Sequence, residues 1–411
     1  MPEHFDELET RPHEIREAKT FSSFPDFLTD IMSRIPAWKS RFSDVDVSKI
    51  NSRKALAKLP VMRKPELMDA QKAKPPFGGF VDSNLLNGQR IFMSPGPVWE
   101  PQAPGSDPWL AARSLYAAGI RAGDVVHCSI GFTLTPGGAI LDGGIRALGA
   151  ISFPAGVGNT ETQVEAIDVL KPSAYVGTPD YLQTLLEKAD EMGKDISSIK
   201  RGFVSGGALF PSMREAYGKR GITVMQGYAT ADIGSIAHES MHEGTLVEGM
   251  ICNEDLIVEI VRPGTDDPVA PGEVGEIVVT SFNKAYPLVR FGTGDMSAFI
   301  DEPSPCGRTN LRIKGWMGRA DQRTKVKGMF VDPKQIDQIV KSIDGCDKAR
   351  LVVKRDGSKD VMELLICGVD VNMDAVQEKL VVVTKLKGEV ALVEDLPNDG
   401  KVIDDQRDYD G

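Results

Sequence analysis

Several things are scarce in this sequence, and each shortage excludes something. Among 411 residues there are five cysteines, Cys128, Cys252, Cys306, Cys346 and Cys367, odd in number and widely scattered. A disulfide framework is therefore not expected, and a reducing cytoplasm is the natural compartment. No apolar run approaches the length of a membrane span, and the opening stretch MPEHFDELETRPHEIREAKT is charged throughout. Neither a membrane anchor nor a cleavable signal peptide is expected. Positive charge is in deficit too: 48 Lys and Arg against 59 Asp and Glu leave a formal charge of −11. That argues against nonspecific binding to nucleic acid or to an anionic membrane, but not against small anionic substrates, which meet local fields. A last shortage is local. IFMSPGPVWEPQ, Ile91 to Gln102, stands where a strand should run into a nucleotide-gripping loop. It offers Ser94 and Gly96 and then prolines, Trp99 and Glu100, without the lysine or glycine density of a phosphate cradle.

What is present is ordinary in bulk and regular in order. A 41% hydrophobic and 26% charged composition is that of a globular protein, and the length allows two or three domains with real cores. The first hundred residues read as helical and proline-punctuated, with FPDFLTDIMSRIPAWKSRF amphipathic. After Gly105 apolar strand-like runs (DVVHCSI, ISFPAG, SAYVGTP, IKRGFVSGG, ITVMQGYA) alternate with helix-period segments. Such alternation implies β-α units around a mostly parallel sheet. From Leu256 to Ile300 the texture is strands and turns. From Thr324 the order TKVKGMFV, PKQIDQIVKSI, KARLVVKR, VMELLICGV, MDAVQEKLVVV, EVALVED predicts a small split-βαβ domain. The expected architecture is α/β. It has a large domain over 1–320 with mixed and parallel sheets, a β-rich subdomain at about 245–315, and a small α+β domain over 321–411.

Five short stretches could carry chemistry, and each has a plain structural reading beside it. In YPLVRFGTGDMS a Gly-Thr-Gly-Asp turn would put Asp295 on a tight loop, where its carboxylate can accept from a ribose diol or simply close an Asx turn. In VMQGYATADIGS a buried strand ends at Gly227 and Tyr228 and leads to Asp232. Loops at strand carboxyl ends are where open α/β sheets bind ligands. There Asp232 could hold a magnesium ion, or Thr230 or Asp232 could cap a helix. Gly206 and Gly207 after a strand permit a backbone close to a flat ligand, or a sharp turn. MGRADQRTKVKG, with Gly318, Arg319 and Asp321, is a candidate hinge or a solvated linker. Lys401 follows an Asp-Gly turn near the C-terminus.

In order, SGG, GYATAD, RFGTGD, GRADQRTKVKG and NDGK resemble the core-motif series of the adenylate-forming ligases: acyl-CoA synthetases, luciferases and peptide-synthetase adenylation domains. LPVMRKPEL, FGGF, VGNTETQVEAI and GTPDYL resemble the phenylacetate–CoA ligase branch, and the likeness runs from about Leu59 to Arg407. It implies attack of a carboxylate on the α-phosphorus of ATP, then displacement of AMP by the thiol of coenzyme A, with magnesium required. Asp295 would hold the ribose hydroxyls, Gly206 and Gly207 would line the adenine pocket beside Gly227, Tyr228 and Ala229, and Arg290 and Arg319 would contact ribose or phosphate. Asp232 stands at the family's metal-binding glutamate. Lys401 would bridge carboxylate and α-phosphate, Asp321 would be the hinge of a rotating small domain, and the Gly328 region would face the thiol. Ser94 and the N–H of Gly96 would be what remains of the phosphate loop, usually Ser-Ser-Gly-Thr-Thr-Gly-Lys-Pro, in a stiffened segment with few phosphate contacts. Phe132, Phe210 and Ala229 are candidate walls of a pocket for an aromatic acid. A zinc site of that branch would fall on His238, His242, Cys252 and Cys306, with Ser240 and Ser304 where cysteines are usual; ordinary core cysteines and surface histidines are the competing reading. Family precedent favours a homodimer. Two alternatives stand beside a CoA ligase: a degenerate nucleotide-binding or regulatory homologue, and an adenylate-former using another acceptor.

Overall fold

The computed structural model describes residues 3–262, 265–270, 272–320, 324–331, 333–356, 359–396 and 402–407. Asp321 and Lys401, the expected hinge and catalytic lysine, lie outside the described residues. The chain forms two compact units, Met1–Trp316 and Met317–Gly411.

The first unit is built on a nine-stranded sheet. Its parallel part runs in the spatial order Thr223–Thr230, Arg201–Val204, Ala174–Gly177, Val125–Ser129, Ile151–Pro154. Ala174–Gly177 is buried at every position, as a strand covered on both faces must be. The helices between the strands start and stop on recognisable signals: Pro179 opens Pro179–Met192 and Gly193, at φ +61°, closes it. Gly-Gly pairs are not all turns. Gly144 packs so tightly on Ala111 that a Cβ would lie 2.6 Å from its methyl group, which lets Gly137–Ala147 meet Ala111–Ala117. Gly234–His238 then pairs antiparallel with Thr223–Thr230 and carries the sheet toward Met250–Cys252 and Arg312–Ile313.

A second sheet of four strands, in the order Met62–Arg63, Phe291–Ser297, Gly275–Ser281, Leu256–Val261, forms the β-rich part. The N-terminal region packs on it. Helix His13–Arg34 buries Phe21, Phe24, Leu28 and Ile31, and Pro36 starts a new helix, Pro36–Arg41, whose Trp38 is buried in the same core. The amphipathic stretch is thus two helices divided at Ile35, where a residue before proline leaves the helical region.

The second unit differs from the expected split-βαβ pattern. TKVKGMFV is a separate hairpin, Thr324–Val326 with Met329–Val331, turned at Lys327 and Gly328, both with positive φ. The four-stranded sheet has the order Glu389–Leu392, Lys359–Gly368, Cys346–Asp356, Ile403–Asp405, with Pro333–Lys341 and Met373–Thr384 as its helices. Its outer strand comes from the far C-terminal segment, in parallel with Cys346–Asp356. Ile403–Asp405 is only three residues long, too short to carry a periodic signal.

Candidate active site

The carboxyl ends of the parallel strands share one edge of the sheet, and seven of the predicted residues fall there. Phe132 follows Val125–Ser129, Gly206, Gly207 and Phe210 follow Arg201–Val204, and Gly227, Tyr228 and Ala229 lie in Thr223–Thr230. Phe132 is half-buried and its ring covers Gly138, whose missing side chain makes the room. Phe210 is the N-cap residue of Pro211–Lys219 and Ala229 is half-buried. Gly206 and Gly207 are exposed, Gly206 at φ +73°, and the Gln226 side-chain amide donates to the Gly207 carbonyl at 3.0 Å. Gly227 has a packing reason to be glycine: a Cβ would lie 2.3 Å from the Phe203 ring of the neighbouring strand.

Asp295 is not on a tight loop. It lies within the strand Phe291–Ser297, inside a bulge against Gly275–Ser281, where the register passes from Val278↔Gly292 to Glu276↔Met296. Gly294 takes φ +74° there and donates its N–H to Glu276 Oε1 at 3.3 Å. The Thr293 hydroxyl donates to the Ile277 carbonyl at 3.0 Å and accepts from the Asp295 N–H at 3.2 Å. The bulge re-aims the side chain, as bulges beside functional sites do. Tyr228 Oη donates to one Asp295 oxygen at 2.8 Å and Trp316 Nε1 to the other at 2.9 Å. These two donors fix the orientation of the carboxylate.

Arg290 corrects an expectation. Its side chain is fully buried; Nε donates to Glu259 at 3.0 Å, and the remaining guanidinium nitrogens donate to the carbonyls of Ala57, Leu59 and Asp266. Held among these acceptors, it is not placed to reach ribose or phosphate. Arg319 lies in the second unit, half-buried. Gly328 is exposed at its hairpin turn.

The zinc expectation is corrected as well. Among the described residues no group of three or more His, Cys, Asp or Glu side chains is placed to hold a metal ion. His238 is buried, with Nδ1 3.2 Å from Ser114 Oγ, and burial, then Arg308 and Arg113, pushes its pKa down to about 3. Cys306 Sγ lies 3.1 Å from Ser304 Oγ, 3.4 Å from Ser240 Oγ and 3.6 Å from Arg308 Nη1. Burial opposes its ionisation, but these donors prevail and hold the thiol below its usual range. A guanidinium thus sits beside the sulfur. His242 lies on the separate two-residue strand Met241–His242, and buried Cys252 has its pKa pushed up to about 12 by burial.

The stretch at the phosphate-loop position is a β-hairpin, Ile91–Ser94 with Val98–Pro101. Gln71 of helix Lys64–Ala73 clamps it, accepting from the Trp99 N–H at 2.8 Å and donating to the Trp99 carbonyl at 2.9 Å. Gly96 is exposed at the turn, while Ser94 is buried and its hydroxyl donates to Glu100 Oε1 at 2.7 Å. Glu100 points inward. Burial, and then the charge of Asp232, pushes its pKa up to about 9. Asp232 occupies the turn between Thr223–Thr230 and Gly234–His238, and its Oδ2 receives Lys64 Nζ at 3.2 Å. Lys64 and Trp316 escaped the sequence reading; Lys64 lies far from Asp232 in sequence and Trp316 sits in the segment read only as a joint.

Known proteins resemble this chain over most of its length. Residues 140–285 match the family model described as AMP-binding enzyme. The phenylacetate–coenzyme A ligase of Thermus thermophilus is 29% identical over 379 residues, covering 88% of this chain and 83% of that protein. The Escherichia coli enzyme of the same name is 29% identical over 349 residues, covering 81% and 78%. The chain resembles the adenylate-forming, AMP-binding enzymes over most of its length. It resembles their phenylacetate–CoA ligase branch and is an AMP-forming ligase by class. A solved 2-hydroxyisobutyryl-CoA ligase, in complex with 2-HIB-AMP and CoA, superposes with a TM-score of 0.78 at 23% identity, over 98% of this chain and 92% of that one. That likeness carries the adenylate-forming fold.

Proposed function

We propose that this enzyme activates an aromatic, arylacetate-type carboxylic acid with ATP and transfers the acyl group to coenzyme A. The observation that carries the reading is the Asp295 carboxylate, set by a bulge and oriented by Tyr228 and Trp316 beside the ligand-binding edge of the sheet. The relatives named phenylacetate–coenzyme A ligase support the choice of acid and thiol.

In the first step a carboxylate oxygen bonds to the α-phosphorus and the α–β bridging P–O bond breaks, releasing pyrophosphate. In the second the thiolate bonds to the acyl carbon and the acyl–oxygen bond to AMP breaks. Asp295 receives the ribose hydroxyls and fixes the nucleotide, while Gly206, Gly207, Tyr228 and Ala229 line the adenine side, and orientation supplies much of the acceleration. Phe132, Phe210 and Ala229 border the acyl group. Arg319 contacts ribose or phosphate, Lys401 stabilises the first transition state, and rotation about Asp321 brings the Gly328 turn to the thiol. Asp232 fits a divalent cation, because its buried Oδ1 has no hydrogen-bond partner among the described residues. Magnesium, when bound there, supplies neutralisation of phosphate charge. A cytosolic homodimer completes the reading.

Pyrophosphate release measured with ATP, magnesium and a panel of aryl acids, with and without coenzyme A, tests it. The expected result is acid-dependent release and a CoA ester. Release without an ester favours another acceptor, and no acid-dependent release leaves the degenerate nucleotide-binding homologue.

A further inference from the structure

Among the described residues, three buried polar atoms around the hairpin have no hydrogen-bond partner: Glu100 Oε2, Asp232 Oδ1 and Tyr286 Oη. Glu100 is 1% exposed, Tyr286 3% and Asp232 9%. They come from three separate parts of the chain, yet Asp232 acts on Glu100 both through its charge and at hydrogen-bonding range, and both carboxylates act on the Tyr286 hydroxyl. Buried polar atoms are nearly always satisfied, and two bare carboxylates cannot be buried side by side, so this pair must hold either a shared proton or a cation between its oxygens.

We infer that Glu100 and Asp232 together are the protein ligands of one divalent cation that binds with the nucleotide phosphates. Magnesium sites commonly use one or two carboxylates, completed by phosphate oxygens and water, and two buried carboxylates within hydrogen-bonding range of each other meet that need. The other oxygen of each carboxylate is already fixed, Glu100 Oε1 by the Ser94 hydroxyl and Asp232 Oδ2 by Lys64, and such supporting bonds orient metal ligands.

The position of Glu100 gives the inference its meaning. Ser94, Gly96 and Pro101 match their places in the eight-residue phosphate-loop pattern, and Glu100 then stands where the lysine belongs. A lysine attracts phosphate directly; a glutamate in its place repels it when ionised and offers no attraction when protonated. With a divalent cation between them the sign is restored, since Glu100, Asp232 and Lys64 in their charged forms carry one net negative charge, which the ion converts to one net positive. The hairpin would then hold phosphates through metal, where a glycine-rich loop uses backbone N–H groups and a lysine.

The inference rests on the proposed nucleotide reading for the source of the phosphates, but cation binding is measurable without catalysis. Mn2+ binding to the full-length protein, followed by electron paramagnetic resonance with and without ATP and with no acid present, is the test. Glu100→Gln and Asp232→Asn are each expected to weaken Mn2+ by about tenfold or more, with ATP binding in the absence of metal retained. A folded Glu100→Gln protein with Mn2+ affinity indistinguishable from wild type overturns the inference, as does a wild-type protein that binds no Mn2+ in the presence of ATP. Should Glu100→Gln fail to fold, Glu100→Asp is measured; the shorter carboxylate is expected to lower the affinity and alter the Mn2+ spectrum, and an unchanged spectrum and affinity overturns the assignment. Intact, Glu100-dependent Mn2+ binding with no acid-dependent pyrophosphate would sink the ligase reading and leave the metal site standing.

Discussion

With no exposed surface and acceptors from Ala57, Leu59, Glu259 and Asp266 around it, the Arg290 guanidinium ties together segments far apart in the chain. Removing one partner of a buried ion pair leaves the other charged and unpaired, at a cost of about 3–5 kcal/mol. Arg290→Ala is expected to lower unfolding stability by that order in urea titrations, with nucleotide affinity of the folded fraction unchanged. A stable variant that no longer binds ATP would restore the contact with ribose or phosphate. The pattern RFGTGD gave no warning, because a surface arginine and a buried one look alike in a single sequence. His238 makes a pH prediction. Its folded pKa of about 3 lies below the ordinary 6.5, so the unfolded chain takes up a proton that the native chain refuses. Its contribution is fully present above about pH 6.5 and is lost as pH falls toward 3. Denaturant midpoints at pH 7.5 and 5.5 should therefore converge in His238→Gln relative to wild type; an equal drop in both proteins would refute the assignment.

At the scale of the element, Asp295 is aimed by its neighbours' hydrogen bonds. Thr293→Val removes the hydroxyl that holds the Ile277 carbonyl and the Asp295 N–H, leaving buried groups unsatisfied at about 1–3 kcal/mol. The expected outcome is a larger dissociation constant for AMP by isothermal titration, with the fold retained. Affinity unchanged with stability reduced would make the bulge structural only. GTGD was legible as a special backbone but not as a strand, because two glycines and an aspartate oppose strand propensity and only pairing with Gly275–Ser281 overrides it. The βα alternation from Val125 to Thr230 was legible, since buried parallel strands are written as continuous apolar runs. The inward turn of Glu100 was not: two prolines and an exposed tryptophan read as an irregular loop, whereas cross-strand pairing and Gln71 make a hairpin of it.

For the whole molecule the chemistry of the proposed reaction is divided between the two units, with Lys401 in the sequence span of the smaller. Lys401→Ala is expected to lose most acid-dependent pyrophosphate release while still forming thioester from a preformed adenylate. Normal adenylation in that variant would remove the lysine from the first step. The motif order predicts this division, but convergence of Lys64, Glu100, Asp232 and Tyr286 depends on tertiary packing that no spacing rule encodes. The hairpin has a thermodynamic consequence. A glycine-rich loop is loose before the phosphates arrive and must become ordered when they do, so its binding carries an unfavourable conformational entropy. Here strand pairing between Ile91–Ser94 and Val98–Pro101 has already removed that freedom at folding. Capture of the phosphates then freezes little backbone, and calorimetry of ATP binding should show a correspondingly small entropic penalty from this segment.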